Sequence, residues 1–233
     1  MKDKTLKLIL SLSAGTAFTL ASVLCVSALN APQPVFATAT GTSIVLDAGH
    51  GGVDGGVTGR TTGVKESEIN LSITYALKTA LEDAGFTVTL TRKTDEGLYG
   101  AATSGFKKRD MQKRKAIIEE ARPAAVVSIH QNYYPSRTVR GGQAFYDPSS
   151  ETGKRLAEGV QDELNGLYAK EGVKNRVAAK GEYYILSCTA YPSIIVECGF
   201  LSNAEDEKLL QSGTFQEDLA KGVCRALVCV FGV

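Results

Sequence analysis

Both histidines of this chain lie where an apolar run gives way to small and polar residues. Asp47-Ala-Gly-His50-Gly-Gly follows Ser43-Ile-Val-Leu, and Ser128-Ile-His130-Gln-Asn132 closes a second run that begins at Ala124. A third run ends Ile195-Val-Glu197-Cys-Gly199. Two converging imidazoles suit zinc, which in catalytic sites takes three protein ligands and keeps a fourth position for water. With only two His in the chain, the third ligand has to be a carboxylate or a thiolate. Glu66 closes the glycine-rich stretch after His50 and precedes Ser67, which can cap a helix; Asp47, Asp54 and Cys198 compete with it. Water on such a metal has its pKa lowered from ~15.7 to about 7. Glu197 can then take the proton and return it to a leaving amine.

For these groups to meet, the apolar runs must be strands of one sheet whose carboxyl ends share an edge, the usual place for working residues in open α/β sheets. The pattern predicts strands at 43–47, 86–91, 124–130, 142–146, 183–188 and 193–198. Helices are expected at 68–84, 107–121 and 150–167, the first capped by Ser67 and stopped at Gly85. Thr214-x-x-Glu217 reads as a capping box that opens a last helix running to Phe231. Alternating strands and helices make this a single α/β domain with a largely parallel sheet.

Lys+Arg 26 against Asp+Glu 25 gives no basic excess and argues against a nucleic-acid partner. Lys2, Lys4 and Lys7 precede an apolar stretch from Leu8 to Leu29, and no further charge occurs before Asp47. Val35-x-Ala37 and Ala37-x-Ala39 fit a small-residue cleavage site, so residues 1–39 read as a signal peptide or, if uncleaved, an N-terminal anchor, the chain's only route to a membrane. Export makes disulfides available, yet Cys188, Cys198, Cys224 and Cys229 form no dense framework. Buried thiols are the expectation, with a Cys188–Cys198 bridge as the alternative. Other chemistries lack their signatures: the glycines after His50 are not followed by a helix start, and neither G-x-S-x-G nor H-E-x-x-H occurs.

Asp47-Ala-Gly-His50-Gly-Gly, Lys65-Glu66 ahead of Asn70-Leu71, Ser128-Ile-His130-Gln-Asn132 and Val196-Glu197-Cys-Gly-Phe-Leu-Ser-Asn203 together resemble the zinc-dependent N-acetylmuramoyl-L-alanine amidases of the amidase type 3 family. The resemblance spans nearly all of 43–231, in order, with spacings of 16 from His50 to Glu66, 64 to His130 and 67 to Glu197. It implies a catalytic domain over 43–233 and a twisted, mostly parallel sheet of about six strands flanked by helices. One zinc ion per chain, held by His50, Glu66 and His130, would act with Glu197 as catalytic base. The implied reaction is hydrolysis of the amide between the lactyl group of N-acetylmuramic acid and L-alanine in peptidoglycan, by attack of zinc-bound water.

Asn132 and Arg114 occupy positions where the family places polar groups near the substrate, and Asp47 is a candidate for orienting a ligand from behind. The chain departs from the pattern at Tyr133, where relatives commonly have Ala, and at Glu119, where many have Asn. Only about 14 residues separate Tyr168 from Tyr183, too few for the metal-blocking helix of some relatives. The compact plan, with Arg109-Asp-x-x-x-x-Arg114 and Gly141-Gly-Gln-Ala-Phe-Tyr146, is most similar to the sporulation amidases. That subgroup implies work on spore cortex as the first step to muramic lactam, in the cell wall or the intermembrane space of a developing spore. A protein activator or localiser would fit there. The alternatives are a vegetative autolysin of the same chemistry, a zinc peptidase on the stem peptide, and a catalytically silent wall-binding protein.

Overall fold

The computed structural model describes residues 41–232, so the expected leader at 1–39 lies outside the described residues. Its sheet has six strands: β1 (Ser43–Ala48), β2 (Thr87–Leu90), β3 (Ala125–Asn132), β4 (Gln143–Tyr146), β5 (Ala179–Lys180) and β6 (Ser193–Phe200). They lie in the order β2-β1-β3-β6-β4-β5. The first four of these run parallel, while β4 pairs antiparallel to β6 and carries β5 parallel to itself. Helices α1 (Glu66–Asp83), α2 (Phe106–Ala121), α3 (Glu151–Ala169), α4 (Tyr184–Ser187), α5 (Ala204–Leu210) and α6 (Gly213–Phe231) complete the described elements.

Strand alternation sorts the two faces. Ile44, Leu46, Val127, Ile129, Ile194 and Val196 point into the larger core with residues of α1, α3 and α6. Val45, Val126 and Ile195 point the other way, against Ile118 of α2 and Ile185 and Leu186 of α4. Continuing with period two, Asp47, Ser128, His130 and Glu197 fall on this thinner face at the carboxyl ends of β1, β3 and β6. The parallel register sets Asp47 beside Ser128 and His130 beside Glu197.

Four local expectations are corrected. Residues 183–188 are not a strand: Tyr184–Ser187 is a helical turn that buries Ile185 and Leu186 on the sheet. A short apolar run has no periodicity that separates the two forms, and here packing on the thin face decides. Ser67 does not cap α1; the helix starts at Glu66, with the N–H groups of Glu66 and Ser67 donating to the Val57 and Gly55 carbonyls. The glycine loop thus supplies the acceptors that a capping side chain would provide. At α6 the N-cap is Ser212 and makes no side-chain capping bond, so the Thr214–Glu217 box does not form. Cys188, Cys198, Cys224 and Cys229 are free, with Cys198 and Cys224 buried as expected, Cys188 half-buried and Cys229 exposed. Strand β5 and helix α5, capped by the Asn203 carboxamide, were not foreseen. Among the described residues, no inserted helix stands between α3 and β5.

Candidate metal centre and active site

His50, Glu66 and His130 come together from three separate segments and could hold a metal ion. Glu66 Oε1 lies 3.3 Å from His50 Nε2 and 2.9 Å from His130 Nδ1. The same oxygen accepts from the Gln131 N–H at 3.1 Å and the Asn70 carboxamide at 3.3 Å, while Oε2 accepts from the Val57 N–H at 2.9 Å. Burial opposes ionisation of Glu66, but hydrogen bonds from His130 and His50 outweigh it and hold the carboxyl well below its ordinary range. On the far side of His50, Nδ1 meets Asp54 Oδ2 at 3.2 Å. Carboxylate–histidine contacts of this kind fix the ring orientation of a metal ligand. Asp54, one of the competitors for third ligand, therefore stands behind His50, while Cys198 is buried on the opposite face with the larger core.

Two glycines make room for the constellation. A Cβ on Gly49 would overlap the His130 ring, and one on Gly56 would overlap the Glu66 carboxylate. His50 itself has φ 61, a left-handed conformation that side-chain-bearing residues rarely adopt. Arg114 meets that backbone: its Nη2 donates to the His50 carbonyl at 2.7 Å and its Nη1 to the Ala48 carbonyl at 2.8 Å. Nη1 also donates to Asp47 Oδ1 at 2.5 Å, and Nε to Asp110 Oδ2 at 2.6 Å. Arg114 is 2 % exposed and braces the His50 loop from below through these bonds, and it also lines the cleft, as expected from the sequence.

Asp47 touches no ligand side chain. Its carboxylate accepts from Arg114, Thr91 and Ser128. Burial would raise its pKa, but the Arg114 charge and the two hydroxyl donors pull it down to about 2. Asn132 spends its side-chain oxygen on the N–H of Tyr133 at 2.8 Å and does not line the cleft. Tyr133 turns to Arg60, accepting from its Nε at 2.6 Å.

Glu197 lines the same cleft as the triad, beside His130 on the neighbouring strand. Its Oε2 is buried and has no hydrogen-bond partner. Burial pushes its pKa up to about 7, with the nearby His130 pulling against that and Glu66 adding to it. A buried carboxylate with a free oxygen, titrating near neutrality, is suited to carry a proton. The cleft, about 430 Å³, is lined by Tyr99, Phe106, Lys107, Tyr183 and Tyr184 among others. Arg92 is the supporting residue that motif reading does not single out, because its role comes from backbone contacts rather than from chemistry at a regular spacing. Asp54, read as a competing ligand, and Gly49, part of the first motif, support the site by contact and close approach instead.

Comparison with known proteins identifies the family. The N-acetylmuramoyl-L-alanine amidase family matches residues 44–229. The germination-specific N-acetylmuramoyl-L-alanine amidase of Bacillus subtilis is 29% identical over 195 residues, covering 82% of this chain and 81% of that one. The CwlD amidase of Clostridioides difficile, solved in complex with the GerS lipoprotein, superposes with a TM-score of 0.76 at 34% identity over 81% of this chain and 98% of its own. The catalytic domain of the amidase CwlV from Bacillus (Paenibacillus) polymyxa gives 0.69 at 26% identity, over 80% and 96% of the two chains. The chain therefore belongs to the N-acetylmuramoyl-L-alanine amidase family and is a peptidoglycan hydrolase of that class.

Proposed function

We propose that this chain is a one-zinc amidase of spore cortex, with His50, Glu66 and His130 as the ligands and Glu197 as the general base. The observation that carries the reading is the convergence of His50 Nε2, His130 Nδ1 and Glu66 Oε1 in the same cleft as the unpartnered Glu197 Oε2. Two imidazoles and one carboxylate are a donor set found in catalytic zinc sites. Bound there, zinc would supply a Lewis acid for the scissile carbonyl and acidify water.

The rest of the chemistry belongs to the chain. Glu197 takes the proton of the attacking water at its free oxygen and delivers it to the alanine nitrogen as the C–N bond breaks. Asp54 keeps the His50 ring turned toward the triad, and the Gln131, Asn70 and Val57 donors hold the Glu66 carboxylate. The Asp47–Arg114–Asp110 cluster supports the left-handed turn at His50 from below.

Zinc content of the purified protein and muropeptide digestion by wild type and Glu197→Gln test this assignment. One zinc per chain and loss of roughly 10²–10⁴-fold in kcat for the variant are expected; a variant as active as wild type rules Glu197 out as the base.

The spore-cortex role is supported by the germination-specific relative and by CwlD. The lipoprotein bound to CwlD supports a protein partner for this chain as well, acting outside the cytoplasm where peptidoglycan lies. A strain lacking the gene is expected to form spores whose cortex has no muramic lactam. Normal cortex muropeptides in that strain favour a vegetative wall role instead.

A further inference from the structure

Arg92 is buried at the end of β2, and the carbonyls around it take up its donors. Nε donates to the Ala48 carbonyl at 2.8 Å, and Nη1 to the Thr94 carbonyl at 2.8 Å. Nη2 donates both to the Gly49 carbonyl at 3.0 Å and to the Ser67 carbonyl at 2.8 Å. Its side-chain hydrogen bonds all go to backbone carbonyls, in contrast to Arg114, which is paired with Asp47 and Asp110. Burying a guanidinium without a directly bonded anion is costly, and packing alone would be served better by an apolar side chain. Burial and the positive charge of Arg114 both disfavour the ionised form of Arg92.

The bonded carbonyls show what this arrangement does. Ala48 and Gly49 immediately precede His50, and Ser67 immediately follows Glu66. The direct chain connection between those two ligands is residues 51–65, of which six are glycines. Glycine-rich backbone has the most conformational freedom to lose on ordering, so this loop is a poor ruler for ligand spacing. The guanidinium bridges the two anchor points directly. Its planar fork lets one nitrogen hold both segments at once, which a lysine ammonium on a flexible stem cannot reproduce in the same plane.

We propose that Arg92 is a positioning residue that sets the spacing between His50 and Glu66, and so governs the affinity and geometry of the metal site. Its side-chain hydrogen bonds reach none of the ligand side chains, and it is not among the residues lining the cleft. The inference rests on the zinc reading above, and its test separates the two.

The test compares full-length wild type with Arg92→Lys, which keeps the charge but not the fork. Zinc affinity is measured by competition with a chromophoric chelator, coordination geometry by the visible absorption of the cobalt(II)-substituted protein, and fold by urea unfolding of the metal-free forms. Wild type is expected to bind one zinc. The variant is expected to bind it about 10–100-fold more weakly, the range for groups that orient metal ligands. Its cobalt spectrum should be altered, while its metal-free unfolding midpoint stays close to that of wild type. Equal zinc affinity and an unchanged spectrum overturn the proposal. So does a variant that no longer folds without metal, because Arg92 would then be holding the sheet rather than the ligand spacing. Wild type that binds no zinc overturns the metal reading itself, and the Arg92 proposal with it.

Discussion

His130 and Glu197 stand opposite each other in register on the neighbouring parallel strands β3 and β6. One residue of slip in that pairing would send one of the two side chains to the opposite face of the sheet. The active site is therefore as well specified as the apolar core, because the same alternation that buries Val126 and Ile195 aims His130 and Glu197. Several outcomes can be expected from this arrangement.

The pH profile should carry the signature of Glu197. Its carboxyl, raised by burial to about 7, is a base only when ionised. Activity should fall as pH drops through this pKa, about tenfold in kcat/KM per pH unit below it. Bound metal, being positive, draws the limb toward lower pH. A profile with no acid limb down to about pH 4 contradicts the assignment.

Gly49→Ala should damage the metal site while leaving the sheet intact. The added methyl overlaps the His130 ring, which has to move away from Glu66. Zinc affinity is expected to fall at least about tenfold, with far-ultraviolet circular dichroism unchanged. Retention of full affinity would show that the ring tolerates displacement.

Asp47 makes an acid-stability prediction. Its pKa is depressed from 3.8 to about 2 in the folded chain, so the unfolded chain binds this proton more readily. The resulting stability, about 2 kcal/mol, is complete above the unfolded value and is lost as pH falls through about 2. Asp47→Asn also leaves Arg114 facing a neutral amide, and should destabilise the protein by about 3 kcal/mol at neutral pH. Urea titrations of both proteins at neutral and acidic pH measure this; equal stability at pH 7 contradicts it.

Removing the metal should abolish hydrolysis and lower thermal stability together, because on the proposed assignment zinc would bind only the folded arrangement of the three donors. At free zinc about 100-fold above Kd the stabilisation is about 2.7 kcal/mol, or roughly 5–10 °C in a domain of this size. Chelation followed by zinc addition, monitored by calorimetry and activity, should show both changes reversing. A melting temperature indifferent to chelator argues against a specific site.

Much of this was legible in the residues. The continuous apolar runs of β1, β3 and β6 marked the buried strands of the sheet, and the scarce histidines at the ends of two of them, with Glu197 at the end of the third, marked the candidate site. What escaped was structure without a periodic or chemical mark. Tyr183–Cys188 is an apolar run too short to distinguish a strand from a turn of helix, and only its packing on Val126 and Ile195 decides. The two-residue strand β5 has no pattern to read. The family resemblance places Arg114 near the cleft, and it does line the cleft, but its bonds to Asp47 and to the His50 carbonyl had no mark in the sequence. Asp54 behind His50 and Arg92 between two backbone segments depend on contacts across 4 to 44 residues of sequence.

The most direct test of the central claim is mass spectrometry of the products that the purified, zinc-loaded protein releases from peptidoglycan sacculi. Cleavage at the lactyl–alanine amide yields glycan with intact disaccharides and peptides that begin with a free L-alanine amino group. Peptides cut between two amino acids of the stem, with alanine still attached to muramic acid, would contradict it.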